Sequence, residues 1–580
     1  MPSGRDLPRG EYPRPQLVRK DWLCLNGRWN FAIDAGGNGE ALGWPARARL
    51  AERIVVPFAP ESRLSGIGCR DFMPCVWYAR RFVVPASWRR RRVLLHFGAV
   101  DYEATVWVNG QRVGFHRGGY SPFAFEITST LKSGSNLLVV RAVDDNRTGL
   151  QPCGKQSQRH ESYGCRYSRI TGIWQSVWLE PVGPAYIRSL RMVPDAPGGR
   201  LCVQVEIDRP HKGLTLAAVA RAAGRPVGQA SVAANSSVAA CTLELSYVRN
   251  WDLEDPFLYD LELTLSDGQQ VVDEVASYFG LRTITLAPPA IYLNDRPVFQ
   301  RLVLDQGYYP AGLYTAPRDS DLKRDIASAQ QLGFNGARLH QKVFEPRFLY
   351  WADRLGYLLW GEFGDWGIER DNGEALRRLA AEWTQVVLRD FNHPSVVGWC
   401  PFNEGRPWAD PQGQCDVYEL TRALDPTRPV IDSSGYHHYR TDVYDCHCYE
   451  QDPRRFAALF RRFARGGEPF YNHPGQAPYA GQPFFVSEYG GIWWNPGQKN
   501  DAAGWGYGQR PRTKREFLRR YRALTTTLLR HPRMCGFCYT QLYDVEQEVN
   551  GLMTYGRRMK FSPADIAAVN RQPAAIEKAC

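Results

Sequence analysis

The chain has 580 residues, and at about 150 residues per domain this length predicts three or four domains. Charged residues make up 23% and hydrophobic residues 44% of the chain, and no apolar run is long enough to cross a bilayer. This composition excludes a disordered, collagen-like or membrane-spanning protein. The net charge of +12 is spread along the sequence, and its one dense run, Arg89–Arg92, is interpreted as a solvated loop rather than a nucleic-acid patch.

The first twenty residues lack an apolar stretch, and 14 cysteines are too dilute for a disulfide scaffold. We therefore expect a cytoplasmic protein with reduced thiols and with neither a membrane nor a nucleic acid as partner. Aromatic residues reach 13%, a level typical of tryptophan-rich β domains and of sugar-binding clefts. Whether the protein forms a homo-oligomer is left open.

Residues 1–183 alternate apolar and polar positions with the period of β-strands. Asn109-Gly110 stands between two apolar runs, which predicts a β-hairpin. No helical period interrupts this region, so we predict a jelly-roll β-sandwich over 1–183. Short alternating strands continue over 184–287, where the length predicts an immunoglobulin-like sandwich that ends before Pro288-Pro289.

From residue 288 to 580 the pattern changes to apolar strands that alternate with helical periods. Eight such units in about 290 residues predict a C-terminal (β/α)8 barrel. The predicted strands are 298–304, 335–340, 357–363, 396–402, 429–432, 443–449, 484–487 and 535–540. The chain is therefore predicted to be a multidomain protein with two sandwiches and a barrel.

Two of the predicted barrel strands end in a glutamate. The fourth stops at Asn403-Glu404, and the seventh stops at Glu488. In such a barrel the carboxyl ends of the strands form the active-site face, so both carboxylates are expected at the barrel mouth. Two facing carboxylates are the minimum requirement for glycoside hydrolysis.

The sequences around these glutamates, GWCPFNE before and through Glu404 and FVSEYG around Glu488, resemble the signatures of family 2 of the glycoside hydrolases. Further segments resemble the same family in the same order along the chain. They are NGRWNF at 26–31, GGYSPF at 118–123, TGIWQSVW at 171–178, FNGAR at 334–338 and NHPSV at 392–396.

The resemblance implies a retaining enzyme in which Glu404 is the acid/base and Glu488 is the nucleophile. We expect the charge of Glu488 to raise the pKa of Glu404 and so keep it protonated. By the same resemblance, Asn403 binds the 2-hydroxyl of the sugar, Tyr449 donates a hydrogen bond to the nucleophile, and Arg338 steadies its charge.

Four more residues are predicted to bind substrate: His340 and His447 at strand ends, Trp493 in the loop after the nucleophile, and Arg166. Arg166 stands six residues before Gly172, where members of the family often place an aspartate that reaches into the sugar site. The alternative for Arg166 is a surface ion pair with Glu161.

A second departure concerns the sugar. The Asn-x-Lys pattern that grips a sugar carboxylate in glucuronidases is not evident, and the comparable stretch reads Glu548 to Met553. Both departures leave the identity of the sugar open.

Histidines and cysteines also cluster in the fifth and sixth predicted strands, at His437, His438, Cys446, His447 and Cys448. Because the two cysteines flank His447 along one strand, they face away from it, and we predict no zinc site. The same argument makes a redox role improbable for Cys535 and Cys538. No cofactor is expected to be required; family members bind Mg²⁺, but no ligands for it can be assigned from the sequence.

The sequence thus predicts an exo-acting retaining glycosidase for terminal β-linked sugars, with an oligosaccharide or small glycoside as substrate. β-Galactosidase is the first hypothesis, from family frequency alone. The alternatives are β-glucuronidase, β-mannosidase, and α-L-arabinofuranosidase or β-galactofuranosidase. A catalytically silent carbohydrate-binding protein is the alternative outside the enzymes.

Overall fold

The computed structural model describes residues 7–405, 407, 411–495 and 504–578. These residues form two β-sandwiches followed by a barrel of parallel strands, in the predicted order. No helix within the described ranges is long and apolar enough to cross a membrane.

The first sandwich packs two antiparallel sheets around buried rings such as Trp29 and Tyr78. Its strands are β1 (Leu23–Cys24), β2 (Gly27–Ile33), β3 (Glu52–Val56), β4 (Cys75–Val83), β5 (Arg92–Phe97), β6 (Val100–Asp101), β7 (Glu103–Val108), β8 (Gln111–Arg117), β9 (Phe123–Glu126), β10 (Ser135–Val143), β11 (Gly172–Ile173) and β12 (Val177–Val182). Short 3-10 turns lie at Trp44–Ala46, Arg63–Ser65, Ala86–Trp88 and Thr128–Thr130. The sheets run in the orders β3-β2-β4-β10-β7-β8 and β1-β12-β5-β9, beside a small β11-β6 ladder.

The predicted hairpin at Asn109-Gly110 joins β7 to β8. Both residues have positive φ, 52° and 82°, as a two-residue turn of this kind requires. Asparagine and glycine tolerate this backbone conformation better than other residues do, which is why the dipeptide predicted the turn.

The second sandwich buries every other residue of its strands between two sheets. Its strands are β13 (Tyr186–Asp195), β14 (Arg200–Asp208), β15 (Leu214–Ala222), β16 (Arg225–Ala233), β17 (Val238–Glu244), β18 (Tyr259–Asp267) and β19 (Gln270–Phe279), in the sheet orders β13-β14-β17 and β16-β15-β18-β19. A small sheet of β20 (Ile284–Ala287), β21 (Ala290–Leu293) and β22 (Arg296–Pro297) leads into the barrel. Pro288-Pro289 forms the turn between β20 and β21.

The barrel alternates strands with helices, and its strands pair in parallel in the order β26-β25-β24-β23-β29-β28-β27. The strands are β23 (Gln300–Asp305), β24 (Gly336–Leu339), β25 (Leu358–Glu362), β26 (Val396–Cys400), β27 (Tyr444–Cys448), β28 (Phe484–Gly490) and β29 (Gly536–Thr540). The helices are α1 (Asp319–Gln331), α2 (Pro346–Leu355), α3 (Gly373–Asp390), α4 (Gln412–Leu424), α5 (Pro453–Ala464), α6 (Lys514–Leu529) and α7 (Pro563–Asn570), with a last 3-10 turn at Ala575–Lys578.

The predicted fold is confirmed, with one difference at the fifth barrel strand. The segment around Val430 makes isolated parallel bridges to β26 and its continuation instead of a regular strand. Its N–H groups are divided between two partners: Ile431 donates to the carbonyl of Trp399, whereas Val430 donates to the carboxylate of Asp442. On the side away from β26, a side chain therefore takes the place of the next strand, and the ladder of hydrogen bonds does not continue from this segment to β27.

A loop of the first sandwich is attached to the barrel mouth. The N–H of Cys153 donates to the carbonyl of Trp366 (2.8 Å), and the N–H of Gly154 donates to the carbonyl of Gly364 (2.9 Å). Gly154 has φ 56°, and an added Cβ there would lie 2.0 Å from the carbonyl oxygen of Gln341. This close approach requires glycine and brings the next residue, Lys155, to the active-site face of the barrel.

Candidate active site

The two predicted catalytic glutamates lie together at the carboxyl ends of their strands. One oxygen of Glu404, one oxygen of Glu488 and one nitrogen of His447 all lie within 4.8 Å of one another. Glu404 follows β26 and has φ 46°, an uncommon conformation for a residue with a side chain. Such strain is frequent at functional sites.

Glu488 is buried within β28 and is held from two sides. Arg338 donates to its Oε1 at 3.1 Å, and the hydroxyl of Tyr449 donates a very short hydrogen bond to its Oε2. The Arg338 guanidinium also bonds Glu362, at the end of β25, at 2.5 Å. This network fixes the carboxylate and supplies a positive charge next to it, as expected for Arg338 and Tyr449.

Asn403 lies beside the same guanidinium. Its Oδ1 accepts from Arg338 at 3.0 Å, which fixes the orientation of the amide. Its Nδ2 is buried and has no hydrogen-bond partner in the part of the chain that the structure describes. The amide therefore presents a free donor, as binding of a sugar hydroxyl requires.

His447 makes contacts that the sequence did not predict. Its Nδ1 lies 2.6 Å from Oε1 of Glu404, and its Nε2 lies 3.1 Å from the hydroxyl of Ser434 and 3.5 Å from Oε1 of Glu488. The imidazole therefore joins the two carboxylates.

The expected pKa relation between the two glutamates is therefore wrong in this structure. Burial alone would raise the pKa of Glu404, but the hydrogen bond and charge of His447, with the charge of Lys155, outweigh it and lower that pKa. Burial opposes the charge of His447, but Glu488 and Glu404 raise its pKa. The 2.6 Å contact between Glu404 and His447 fits one proton held between the two groups.

His340 ends β24 and is buried, with its Nδ1 3.0 Å from Oε1 of Glu362 and 3.9 Å from Oε1 of Glu488. Burial, together with the positive charge of nearby Lys155, lowers the pKa of His340 well below its ordinary value. A neutral imidazole at this position adds no charge to the site.

Arg166 lies at the rim. Its guanidinium covers the ring of Trp366 at 5.0 Å, and its Nη1 lies 3.4 Å from the carbonyl oxygen of Gly154. The alternative ion pair with Glu161 is not formed, since the carboxylate of Glu161 contacts His160 instead, and binding of substrate by Arg166 stays a prediction. Among the described residues, the cation that this loop buries near the two glutamates is Lys155.

Two loops after β28 and β29 complete the wall. The ring of Tyr507 stacks on that of Tyr449 at 3.5 Å between centres. Gly506 packs against Trp493, whose indole nitrogen is buried without a partner among the residues described. Trp505 donates from its indole to the carbonyl of Gly164 at 2.6 Å, which joins this wall to the first sandwich.

The residues of the site that sequence reasoning missed include Lys155, Ser434, Tyr507 and Glu548. Tyr507 and Glu548 lie in loops, where sequence carries no periodic pattern. Ser434 lies in the irregular fifth segment. The only available signal for Glu548 was its place in the stretch compared with Asn-x-Lys.

The histidines and cysteines of the fifth and sixth segments do not form one metal site. His438 lies between Asp432 (2.7 Å) and Asp445 (3.0 Å), and His437 faces the carbonyl of Gly405. Cys446 and Cys448 are buried.

The group with metal-like spacing in the described ranges is Glu404, His447 and Glu488. It does not fit Mg²⁺, which prefers oxygen ligands, because the imidazole bonds both a carboxylate and a hydroxyl and supplies the link between them. A proton explains the short contact between His447 and Glu404.

Comparison with known proteins gives three matches to family models along the chain. Residues 23–179 match the sugar-binding domain of glycosyl hydrolases family 2, residues 185–282 match the family 2 domain that follows it, and residues 316–523 match the family 2 TIM barrel domain.

The chain is 25% identical over 462 residues to a β-glucuronidase of Paenibacillus borealis, covering 72% of this chain and 74% of that protein. It is 25% identical over 378 residues to a β-galactosidase of Thermoanaerobacter pseudethanolicus, covering 62% and 48%. A putative β-glucuronidase of Formosa agariphila is matched over only 34% of its length. The chain thus spans less than two thirds of several of its relatives.

Among solved structures, the β-glucuronidase of Ruminococcus gnavus in complex with D-glucuronic acid superposes with a TM-score of 0.80. The superposition covers 97% of this chain and 99% of that chain at 20% identity, which shows a shared fold. With three consecutive family models matched in order, the chain belongs to glycoside hydrolase family 2.

Proposed function

We propose that the protein is an exo-acting retaining glycosidase that removes a terminal β-linked sugar from a small glycoside or oligosaccharide. The observation that carries this proposal is the approach of Glu404 and Glu488 to within 4.8 Å, oxygen to oxygen, at the ends of β26 and in β28. Retaining enzymes hold their two carboxyl groups about 5–5.5 Å apart, whereas inverting enzymes need about 6.5–9.5 Å to admit water.

In the first step Glu488 attacks the anomeric carbon as the bond to the leaving oxygen breaks. That oxygen takes the proton shared by Glu404 and His447, so that the departing group leaves as an alcohol. The contacts of Arg338 and Tyr449 orient Glu488 for this attack, and Arg338 supplies a positive charge beside it.

In the second step water attacks the anomeric carbon of the glycosyl-enzyme ester. Glu404 accepts the proton of this water, and Glu488 leaves as a carboxylate. Two inversions at one carbon give net retention. The free Nδ2 of Asn403 would bond the 2-hydroxyl, a contact that strengthens as positive charge develops on the sugar.

The enclosing walls support an exo mode of action. The loop of the first sandwich bonds the barrel at two places: the N–H of Gly154 donates to the carbonyl of Gly364, and the carbonyl of Gly164 accepts from the indole of Trp505. Such a wall leaves room for a chain end rather than for a long polysaccharide. The intact carboxylate pair speaks against a silent carbohydrate-binding protein.

Glu488→Gln and Glu404→Gln test the proposal on a panel of nitrophenyl glycosides that includes furanosides and uronides. Glu488→Gln is expected to abolish turnover with an unchanged fold, because it removes a nucleophile and little packing. Glu404→Gln is expected to retain a first step on substrates with very good leaving groups, and azide is expected to restore its second step.

Glu206→Gln, an exposed position in the second sandwich, serves as the matched control. NMR of the fresh product is expected to show the same anomer as the substrate, which is the β-anomer for every β-glycoside of the panel. The inverted anomer, or full activity on an alkyl glycoside in both site variants, would contradict the proposed mechanism.

A further inference from the structure

Lys155 is a buried cation for which the described residues supply no hydrogen-bond or ion-pair partner. It is 5% exposed, like Lys342 and Lys560, which are 3% exposed. The ammonium groups of those two lysines bond carbonyl oxygens, and Lys560 also bonds Asp544. For Lys155, no hydrogen bond and no carboxylate within 4.0 Å is found in the described parts of the chain, and its contacts there are with aromatic rings.

Those rings locate the ammonium at the sugar site. It lies 5.7 Å from the ring centre of Tyr167 and 5.6 Å from that of Trp366. The hydroxyl of Tyr167 donates to Oε2 of Glu548 at 2.5 Å, and the indole of Trp366 donates to the carbonyl of Asn403 at 3.1 Å. Lys155 therefore lies between Glu548 and the end of β26.

Glu548 lies near Lys155, in the loop that follows β29. It is 2% exposed, and its Oε1 accepts a single hydrogen bond, from Asn550 at 3.1 Å. A carboxylate oxygen can accept more than one hydrogen bond, so this acceptor has capacity for a ligand. Carboxylates near Lys155 are those of Glu548, Glu488 and Glu404.

We propose that Lys155 and Glu548 bind one hydroxyl group of the terminal sugar between them and thereby select neutral sugars over uronides. A hydroxyl can accept a hydrogen bond from the ammonium and donate one to the carboxylate at the same time. This inference rests on the proposed glycosidase function and names its substrate class.

The charges at the site decide between a hydroxyl and a carboxylate as the group bound. A uronide carboxylate placed at Lys155 would gain one positive neighbour but would face Glu548, with Glu488 and Glu404 also near. A carboxylate offers no proton to Glu548, so two acceptors would be brought together without a hydrogen between them. A hydroxyl satisfies both groups, and its loss would leave both buried and unpaired.

The test compares kcat/KM for nitrophenyl β-glucuronide with the values for neutral nitrophenyl glycosides, namely β-galactoside, β-glucoside, β-mannoside, α-L-arabinofuranoside and β-galactofuranoside. For the wild type we expect kcat/KM on the best neutral substrate to exceed kcat/KM on the glucuronide by at least about 100-fold. A hydrogen bond to a charged group contributes about 10- to 100-fold, and repulsion between the uronide and the carboxylates of the site adds to this factor. Lys155→Met is expected to lower kcat/KM on the best neutral substrate by about 10- to 100-fold.

Glu548→Gln is expected to lower kcat/KM on the neutral substrate by a similar factor. Because it removes a negative charge, it should also raise the ratio of kcat/KM on the glucuronide to kcat/KM on the neutral substrate at least about tenfold. Lys212→Met, exposed in the second sandwich, and Glu206→Gln are the matched controls. Monodeoxy analogues of the best neutral substrate identify the hydroxyl: on one of them, both site variants should act within about twofold of the wild type.

Thermal unfolding of each variant separates loss of fold from loss of recognition, and Glu548→Gln keeps the test available if Lys155→Met does not fold. The inference is overturned if the wild type prefers the glucuronide, or if both variants lower neutral and uronide activity equally. If the wild type releases no sugar from any member of the panel, or Glu488→Gln remains fully active, the proposed function itself has failed.

Discussion

Replacing His447 with glutamine tests the shared proton. The imidazole holds this proton through a 2.6 Å hydrogen bond to Glu404 and lies 3.5 Å from Glu488. A charge-assisted hydrogen bond contributes about 1.5–3 kcal/mol, and about 1.4 kcal/mol corresponds to one pH unit. Without His447 the proton must stay on Glu404 alone. The basic limb of the pH–rate profile should therefore move to lower pH by about one to two units.

The assay is kcat/KM between about pH 4 and 9 for the wild type and His447→Gln, on a substrate with an alkyl leaving group. A dinitrophenyl glycoside of the same sugar serves as the substrate control, since its departure needs little acid assistance and its basic limb should not move. His531→Gln is the variant control, because this buried histidine bonds the carbonyl of Phe460, away from the two glutamates. A basic limb that stays in place, or moves to higher pH, would refute the shared proton.

Three further changes have defined outcomes. Arg338→Met leaves Glu362 and its other carboxylate partner without a counter-charge, so urea unfolding should show a loss of about 3–5 kcal/mol and kcat should fall at least about 100-fold. Burial opposes the charge of His438, but its aspartate partners raise its pKa to about 10, so its contribution to stability is complete below about pH 6.5 and is lost as pH rises toward 10. His438→Gln should therefore flatten the dependence of the unfolding free energy on pH in that window, and an unchanged slope would contradict the pairing. Asn403→Ala should lower kcat/KM on a 2-hydroxy sugar but leave its 2-deoxy analogue within about twofold; equal losses on both would exclude the 2-hydroxyl contact.

The ends of the barrel strands could be predicted from the sequence because each strand is a short apolar run that stops at a polar residue, and these runs alternate with helical periods. This pattern predicted the order of the barrel strands and brought Glu404, Glu488 and Arg338 to one face. It failed at the segment around Val430, where the N–H bonds the side chain of Asp442 rather than a strand. The sequence pattern does not reveal that a side chain replaces a strand here, because this depends on where the fold places the carboxylate of Asp442.

Side-chain partners at the site were harder to predict than positions. His447 was expected beside the sugar, but its bonds to Glu404 and Ser434 depend on how β27 is offset relative to β28, and the register shifts between Cys446 and His447. A shift of one residue in a strand reverses the face of every later side chain. The lowered pKa of Glu404 follows from its contact with His447, a partner that the spacing of the two glutamates does not reveal.

Arg166 and Lys155 show why a loop residue cannot be assigned by counting along the sequence. Both belong to one loop of the first sandwich, and the count from Gly172 favoured Arg166. The conformation of the loop is determined instead at Gly154, where backbone bonds to the barrel and a positive φ leave no room for a side chain. Lys155, the residue after that contact, lies near the two glutamates, and Arg166 contacts the ring of Trp366, which Lys155 also contacts. The first sandwich thus contributes to the candidate active site, because its loop supplies a buried cation near the two glutamates.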